Sequence, residues 1–428
     1  MTCEVAVANR LAIALAADSA VTYTEQGKTT YSSGANKIFQ LACDAPVAVM
    51  INNSSTLGGV PWELIIKVYR SKLGKGTFPT LHGYWDNFLA FLNDPAQGVL
   101  PSAVRDAGGK RAIGLAAVQI ITEVVDAKPT LRDTTVPPAT LAQDWQQGFA
   151  DLTAQHLNNA PTFNGVNQAD QAQLLASHHA ALTTSVDAYL AEDWPHLKPH
   201  IQVADLLAAA ADLAFKRPDV ILASTGIVIA GFGEDEYLPG YLSKEVFGFV
   251  GESVAWKDDK KGSVDYSTTR SLIEAFAKAD MVETFSQGAS PGVWKAVAQA
   301  FRTHAAAVAE AACVAGGIAA PDVAQIAAEV QARAGAFKDE WTNATLQAHY
   351  VPLWSSVASL NVEELAELAE TLVLLESLKE KVTSRTQSVG GPIDVAVITK
   401  SEGLVWIKRK LYFDPALNPR YLNRLQRN

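Results

Sequence analysis

Three residues near the start of the chain have the types and order that nucleophilic hydrolysis needs: Thr2, Asp18 and Lys37. A threonine hydroxyl is a poor nucleophile by itself. Removal of the initiator Met would make Thr2 the first residue, and its α-amine, with an unperturbed pKa of about 7.7 to 8.0, could then accept the hydroxyl proton at neutral pH. One residue would supply both nucleophile and base. The amine must be held neutral, which calls for a nearby cation, and a buried carboxylate must fix that cation. Lys37 is the lone base in "SGANKIFQL", and Asp18 closes the apolar run "LAIALAAD".

The surrounding elements must bring these three together. "CEVAVA" and "LAIALAA" flank Asn9-Arg10, which predicts a tight hairpin that returns Asp18 to the start of the first strand. Neither strand alternates cleanly, so both are expected to be covered on two faces. "NKIFQLA" and "PVAVMIN", joined by "CDA", predict a second hairpin with Lys37 at its head. Pro61 then opens an amphipathic helix with Leu64, Ile65, Val68 and Tyr69 as its apolar positions. Residues 74–218 read as a helical insertion. A third hairpin is expected from "TGIVIAGFG" and "KEVFGFVGE", and helical periodicity resumes at "SLIEAFAKADMVETF". An Ala-rich helical stretch from 293 to 350 follows, then "VEELAELAETLVLLESLKEKV" with its stripe of Leu365, Leu368, Leu372 and Leu375. "IDVAVIT" and "LVWIKRK" around "KSEG" predict a last hairpin. Separate strand-rich and helix-rich runs favour a layered α+β fold over alternating βαβ units. The expected organisation is one discontinuous core, 2–73 with 219–292 and 351–415, carrying helical insertions at 74–218 and 293–350.

Bulk properties exclude several classes. The 428 residues are 48% hydrophobic, enough for a large core. A net charge of -10 without a polybasic block argues against nucleic acid and anionic membrane as partners. Cys3, Cys43 and Cys313 are odd in number and far apart, which fits a reducing compartment, and a cytoplasmic location is expected. "AAAVAEAACVAGGIAA" is too short to span a bilayer and carries Glu310. Cys3 reads as a small buried residue, since its amine is tied into a peptide bond. His178-His179 reads as a solvated helix face rather than a metal site, and "WKDDKKG" as a charged loop. Gly231 and Gly233 belong to a hairpin turn and not to a dinucleotide fingerprint.

Thr2, the "AADSAVT" run and "NKIFQL" together resemble the opening of the proteasome β-subunit family within the N-terminal nucleophile hydrolases. The resemblance extends over "VAVMINNSS", the strands near 225 to 253 and "VGGPIDVAVITKSEGLVWI", about half the chain. It implies a four-layered αββα sandwich with Thr2 as nucleophile and Asp18 and Lys37 as the charged pair. It further implies that Val21 and Thr22 form the strand edge that binds an extended substrate, that Met50 lines an apolar pocket, and that Ser253 in "VGES" supports the site. The family's oxyanion donor is a glycine N–H; Asn52 and Asn53 occupy that neighbourhood here, so the backbone N–H near Asn52 is the expected donor. The family also has an Asp followed by Ser before the final Gly-Gly, where "TQSVGG" offers Thr386 and Ser388 and no Asp.

The function expected from these residues is hydrolysis of a peptide or amide bond without metal or organic cofactor. The family likeness adds self-assembly into rings or related homo-oligomers, and leaves an ATPase partner open. Two rival readings are an amidase or acylase acting on a small molecule, and a catalytically silent self-assembling scaffold.

Overall fold

A computed structural model describes residues 2–25, 28–158, 160–317, 320–383 and 389–420. The fold is α+β, with strands paired antiparallel in two five-stranded sheets. The strands in chain order are β1 (Cys3–Asn9), β2 (Ala12–Ala17), β3 (Val21–Glu25), β4 (Lys28–Ser32), β5 (Ile38–Gln40), β6 (Val47–Asn53), β7 (Thr56–Leu57), β8 (Val60–Pro61), β9 (Thr225–Gly231), β10 (Gly240–Val250), β11 (Ser253–Ser263), β12 (Ser271–Ala277), β13 (Asp394–Thr399) and β14 (Gly403–Lys408). The α-helices are α1 (Trp62–Leu73), α2 (Leu81–Asn93), α3 (Ser102–Ala127), α4 (Pro138–Leu157), α5 (Gln168–Asp193), α6 (Val203–Lys216), α7 (Pro218–Ile221), α8 (Asp280–Gln287), α9 (Pro291–Gly316), α10 (Ala320–Thr345), α11 (Val351–Val357) and α12 (Val362–Thr383).

One sheet runs β12-β1-β2-β13-β14 and the other β11-β10-β9-β6-β5. Every residue of β1 and β2 is buried, as their lack of alternation requires, because each strand has two apolar faces to cover. Val5, Val7, Ala14 and Ala16 face α12, meeting Leu365, Ala369, Leu372 and Val373. Ala6, Ala8, Ile13 and Leu15 face the second sheet, meeting Ile38, Ala48, Met50 and Val228. The other face of the second sheet carries Val47, Val49, Ile51 and Ile229 against Trp62, Ile65, Trp85 and Phe88 of α1 and α2.

Helices α3 to α6 pack around Ile113, Ile120, Val124 and Leu207 and reach β10 through Phe247 and Val250. Arg105 of α3 ties this helical region to the sheet. Its buried guanidinium donates to the carbonyls of Leu92, Asn93, Leu100 and Glu252, at 2.6 to 3.0 Å. Helices α9 and α10 pair through stacked Phe301 and Phe337, 4.1 Å between ring centres.

Two segments depart from the sequence reading. "SLIEAFA", expected to be helical, is β12, because the free edge of β1 offers a ladder over its whole length, from Cys3 opposite Ala277 to Asn9 opposite Ser271. Tertiary pairing here outweighs local periodicity. "WKDDKKG", expected as a loop, lies in the edge strand β11, where charged side chains protect an open edge. Among the described residues no helix is long and apolar enough to cross a membrane.

Leu372 of α12 is fully buried against β1, so truncation leaves a cavity directly behind the strand that carries the candidate site. Leu372→Ala should cost about 2 to 5 kcal/mol, read as an earlier midpoint in urea unfolding with an unchanged slope.

Candidate active site

The hairpin of β1 and β2 sets the site. Its ladder continues past the strand end, where Asp18 N–H donates to the Cys3 carbonyl at 3.2 Å. Asp18 is thereby held beside the first residues of β1. Its carboxylate is fully buried and gathers three segments. Oδ1 accepts the Cys3 N–H at 3.1 Å and Oδ2 accepts those of Ala20, at 3.2 Å, and Gly390, at 2.8 Å. The last of these fastens the chain ahead of β13. Gly391, next along, has φ +78°, and a Cβ there would stand 2.9 Å from Ser33, so glycine is required on both counts.

Lys37 approaches from the opposite sheet. Its carbonyl accepts the Ile51 N–H at 2.9 Å, which fixes the backbone at the head of β5. Its ammonium, buried, donates to Asp18 Oδ1 and lies 3.1 Å from Glu4 Oε1. Glu4 was not singled out by the sequence reading. It follows two residues after Thr2 on β1, and strand alternation puts it with Ala6 and Ala8 on the face toward the second sheet. The Thr2 hydroxyl donates to Glu4 Oε2 at 3.1 Å. The Lys37 ammonium is thus the neighbour of Glu4 Oε1, as the Thr2 hydroxyl is of Oε2.

The electrostatics follow from this burial. Loss of water pushes the fully buried Glu4 carboxyl up from an ordinary value of 4.5 to about 7, against the pull of Lys37. Burial works to lower the Lys37 ammonium, but Glu4 and Asp18 together outweigh it and hold the group above the usual lysine value. Burial, with Glu4 and Asp18 adding to it, raises the Cys3 thiol well above its normal range. The thiol stays protonated, which fits an inert buried cysteine.

A backbone donor completes the cluster. Ile51 N–H points to Lys37, so the next N–H along β6 that faces the same side is that of Asn53, one residue beyond Asn52. It lies 3.5 Å from Thr2 Oγ1. Asn53 has φ +62°, a left-handed conformation that asparagine tolerates better than most residues. Asn52 is buried with its side chain over Gly226, where a Cβ would stand 2.3 Å from Oδ1.

The other expected residues are spread more widely. Met50 is fully buried between the sheets. Val21 and Thr22 begin β3, opposite Ser32 and Tyr31 of β4. The Thr22 side chain, Thr386 and Ser388 lie outside the described residues. Ser253 opens β11, with β10 and β9 between it and β6; three strand spacings put it about 14 Å aside from Asn53. His178 pairs with Asp106 at 2.7 Å. A cleft of about 900 Å³ is bordered by Leu81, Glu236, Tyr241, Lys261 and Leu272. Leu272 pairs with Ala8, six residues along β1 from Thr2, so this space is about 20 Å from the cluster.

Sequence reasoning thus missed Glu4 and the Asn53 N–H. The signal for Glu4 was available: a single acid in the otherwise apolar "CEVAVA" is the same anomaly that marks Asp18.

No family model matches the chain, and no curated protein does. Among solved structures, a mutant of Anbu from Hyphomicrobium sp. strain MC1 aligns over 100% of this chain and 96% of its own, at 9% identity and a TM-score of 0.28. Anbu, described as an ancestral β-subunit, from Yersinia bercovieri aligns over 99% and 95%, at 7% identity and a TM-score of 0.25. Similarity at this level does not define a family.

The raised Glu4 carboxyl has a measurable consequence. Between about pH 4.5 and 7 the folded chain keeps a proton that the unfolded chain has released, so stability falls as pH rises through that window and levels off above it. The difference corresponds to about 3 kcal/mol. Urea unfolding of the wild type and Glu4→Gln at matched ionic strength should show the wild type losing this much relative to the variant across the window. A gap independent of pH would place Glu4 in the ordinary carboxylate range.

Proposed function

We propose that this chain is a threonine-type amidohydrolase of the N-terminal nucleophile class, cleaving peptide bonds. Its fold is read as a four-layered αββα sandwich with a discontinuous core of 2–73, 219–292 and 351–415 and helical insertions at 74–218 and 293–350. The observation that carries the reading is the contact of one buried hydroxyl, that of Thr2, with a carboxylate on one side and a backbone N–H on the other. The carboxylate, that of Glu4, lies in a charge network closed by Lys37 and Asp18.

In this reading Thr2 Oγ attacks the substrate carbonyl and its freed α-amine acts as base. The ammonium of Lys37 disfavours a second positive charge nearby and so keeps that amine neutral, while Asp18 holds Lys37 and the Cys3 N–H in place. The developing oxyanion is received by the backbone of the Asn52–Asn53 segment, with the Asn53 N–H the nearer to Thr2 Oγ1. An extended substrate adds to the edge of β3 at Val21 and Thr22, the side that β4 leaves open. Met50 contributes to the apolar wall behind the site. Water then releases the acyl group. The chemistry needs neither metal nor organic cofactor, and copies of the chain associate so that access to Thr2 is restricted.

A β-lactone or epoxyketone probe tests this. Mass spectrometry of peptides from the reacted protein should find the adduct on Thr2, absent in Thr2→Ala and retained in the surface variant Lys67→Ala. Failure to label Thr2 in protein with a free Thr2 amine would leave the scaffold reading in its place. Turnover of short acyl-amides with no cleavage of unfolded polypeptide would move the substrate class to small molecules.

A further inference from the structure

Glu4 is a costly residue for the fold. Asp18 already neutralises Lys37, so a second fully buried carboxylate adds surplus negative charge without full solvation. A structural counter-ion would turn its oxygens to backbone donors, as Asp18 does. Glu4 instead turns Oε1 to the Lys37 ammonium, 3.1 Å away, and Oε2 to the Thr2 hydroxyl, so that a side-chain proton and not a backbone donor faces it. The charged groups facing it are Lys37, ahead of β5, and Asp18, at the end of β2. On β12 its opposite residue is the apolar Phe276, and Glu376 of α12 acts on Cys3, which points to the other face of β1.

Building on Thr2 as the nucleophile but changing its proton route, we propose that Glu4, in place of the α-amine, is the catalytic base that takes the Thr2 hydroxyl proton during acylation. As the Thr2 Oγ–carbon bond forms, the Oγ–H proton passes to Glu4 Oε2 and the carbonyl π pair moves onto oxygen. When the tetrahedral intermediate collapses, the carbon–nitrogen bond breaks and the leaving amine takes the proton back from Glu4. The carboxylate is thereby regenerated. The α-amine of Thr2 then serves the second half: it accepts a proton from the water whose oxygen bonds to the ester carbon, and it returns that proton to Oγ as the carbon–Oγ bond breaks and the acid leaves. A carboxyl lifted toward neutrality is matched to such a transfer, since it is basic enough to accept the proton and acidic enough to return it.

The test is the rate of covalent labelling of Thr2 by a β-lactone between pH 5 and 9, in wild type and Glu4→Gln. Gln keeps the size and an oxygen acceptor but cannot take the proton. Labelling should slow by about 100-fold or more, and the acid limb of the wild-type profile should vanish. Labelling of Glu4→Gln within about threefold of wild type, or a slower rate with an unchanged acid limb, overturns the proposal and leaves the α-amine as base. Absence of wild-type labelling would instead remove Thr2 as nucleophile. Should Glu4→Gln fail to fold, carbon NMR of glutamate-labelled wild type decides: one carboxyl must titrate near neutrality in step with the labelling limb, and none doing so rejects the role of Glu4.

Discussion

One ammonium, that of Lys37, stands between the buried carboxylates of Asp18 and Glu4, and the geometry around Thr2 follows from that contact. Charges this deep persist only when paired and hydrogen-bonded. Asp18 meets that condition through three backbone N–H groups, and in doing so it binds the start of β1, the turn after β2 and the approach to β13 into one unit. Lys37 comes from the other sheet. The pair therefore acts as a cross-link between the two sheets at the position where Thr2 lies.

The remainder of the fold can be understood as making that cross-link possible. Inner faces rich in alanine let the sheets approach, with Ala6, Ala8, Ala48 and Ala230 in one shared core. Ile13, Leu15, Phe232 and Phe276 fill the rest of that core, while Trp62, Trp85 and Phe88 cover one outer face and Leu365 and Leu372 the other. Glu4 stands on this inner face in line with Ala6 and Ala8, buried there against the Thr2 hydroxyl and the Lys37 ammonium.

Much of this was legible in the sequence. Hairpins bounded by Asn9-Arg10, "CDA" and "KSEG" could be read because turn residues interrupt apolar runs that are long enough for only one strand each. Asp18 and Lys37 stood out as isolated charges at strand ends. Helices α1 and α12 announced themselves by periodicity, although α1 buries Trp62 and Ile66 while Leu64 is exposed, and the buried stripe of α12 continues through Val373, Glu376 and Glu380 rather than Leu368 and Leu375. What could not be read depends on pairing between distant segments. The strand β12 is made by the edge of β1, and β11 by the edge of β10, so neither is encoded in its own periodicity. The Asn53 N–H emerges only once β6 is placed against β5, because which side an N–H faces is a property of register.

Hydrolysis by Thr2 requires that the working chain begin at that residue, with hydroxyl and amine together. Intact mass and N-terminal sequencing of the purified, matured protein test this most directly. The predicted result is a chain lacking the initiator Met, with threonine released in the first sequencing cycle. A population that retains Met at its first position while hydrolysing amide bonds at full rate would contradict it.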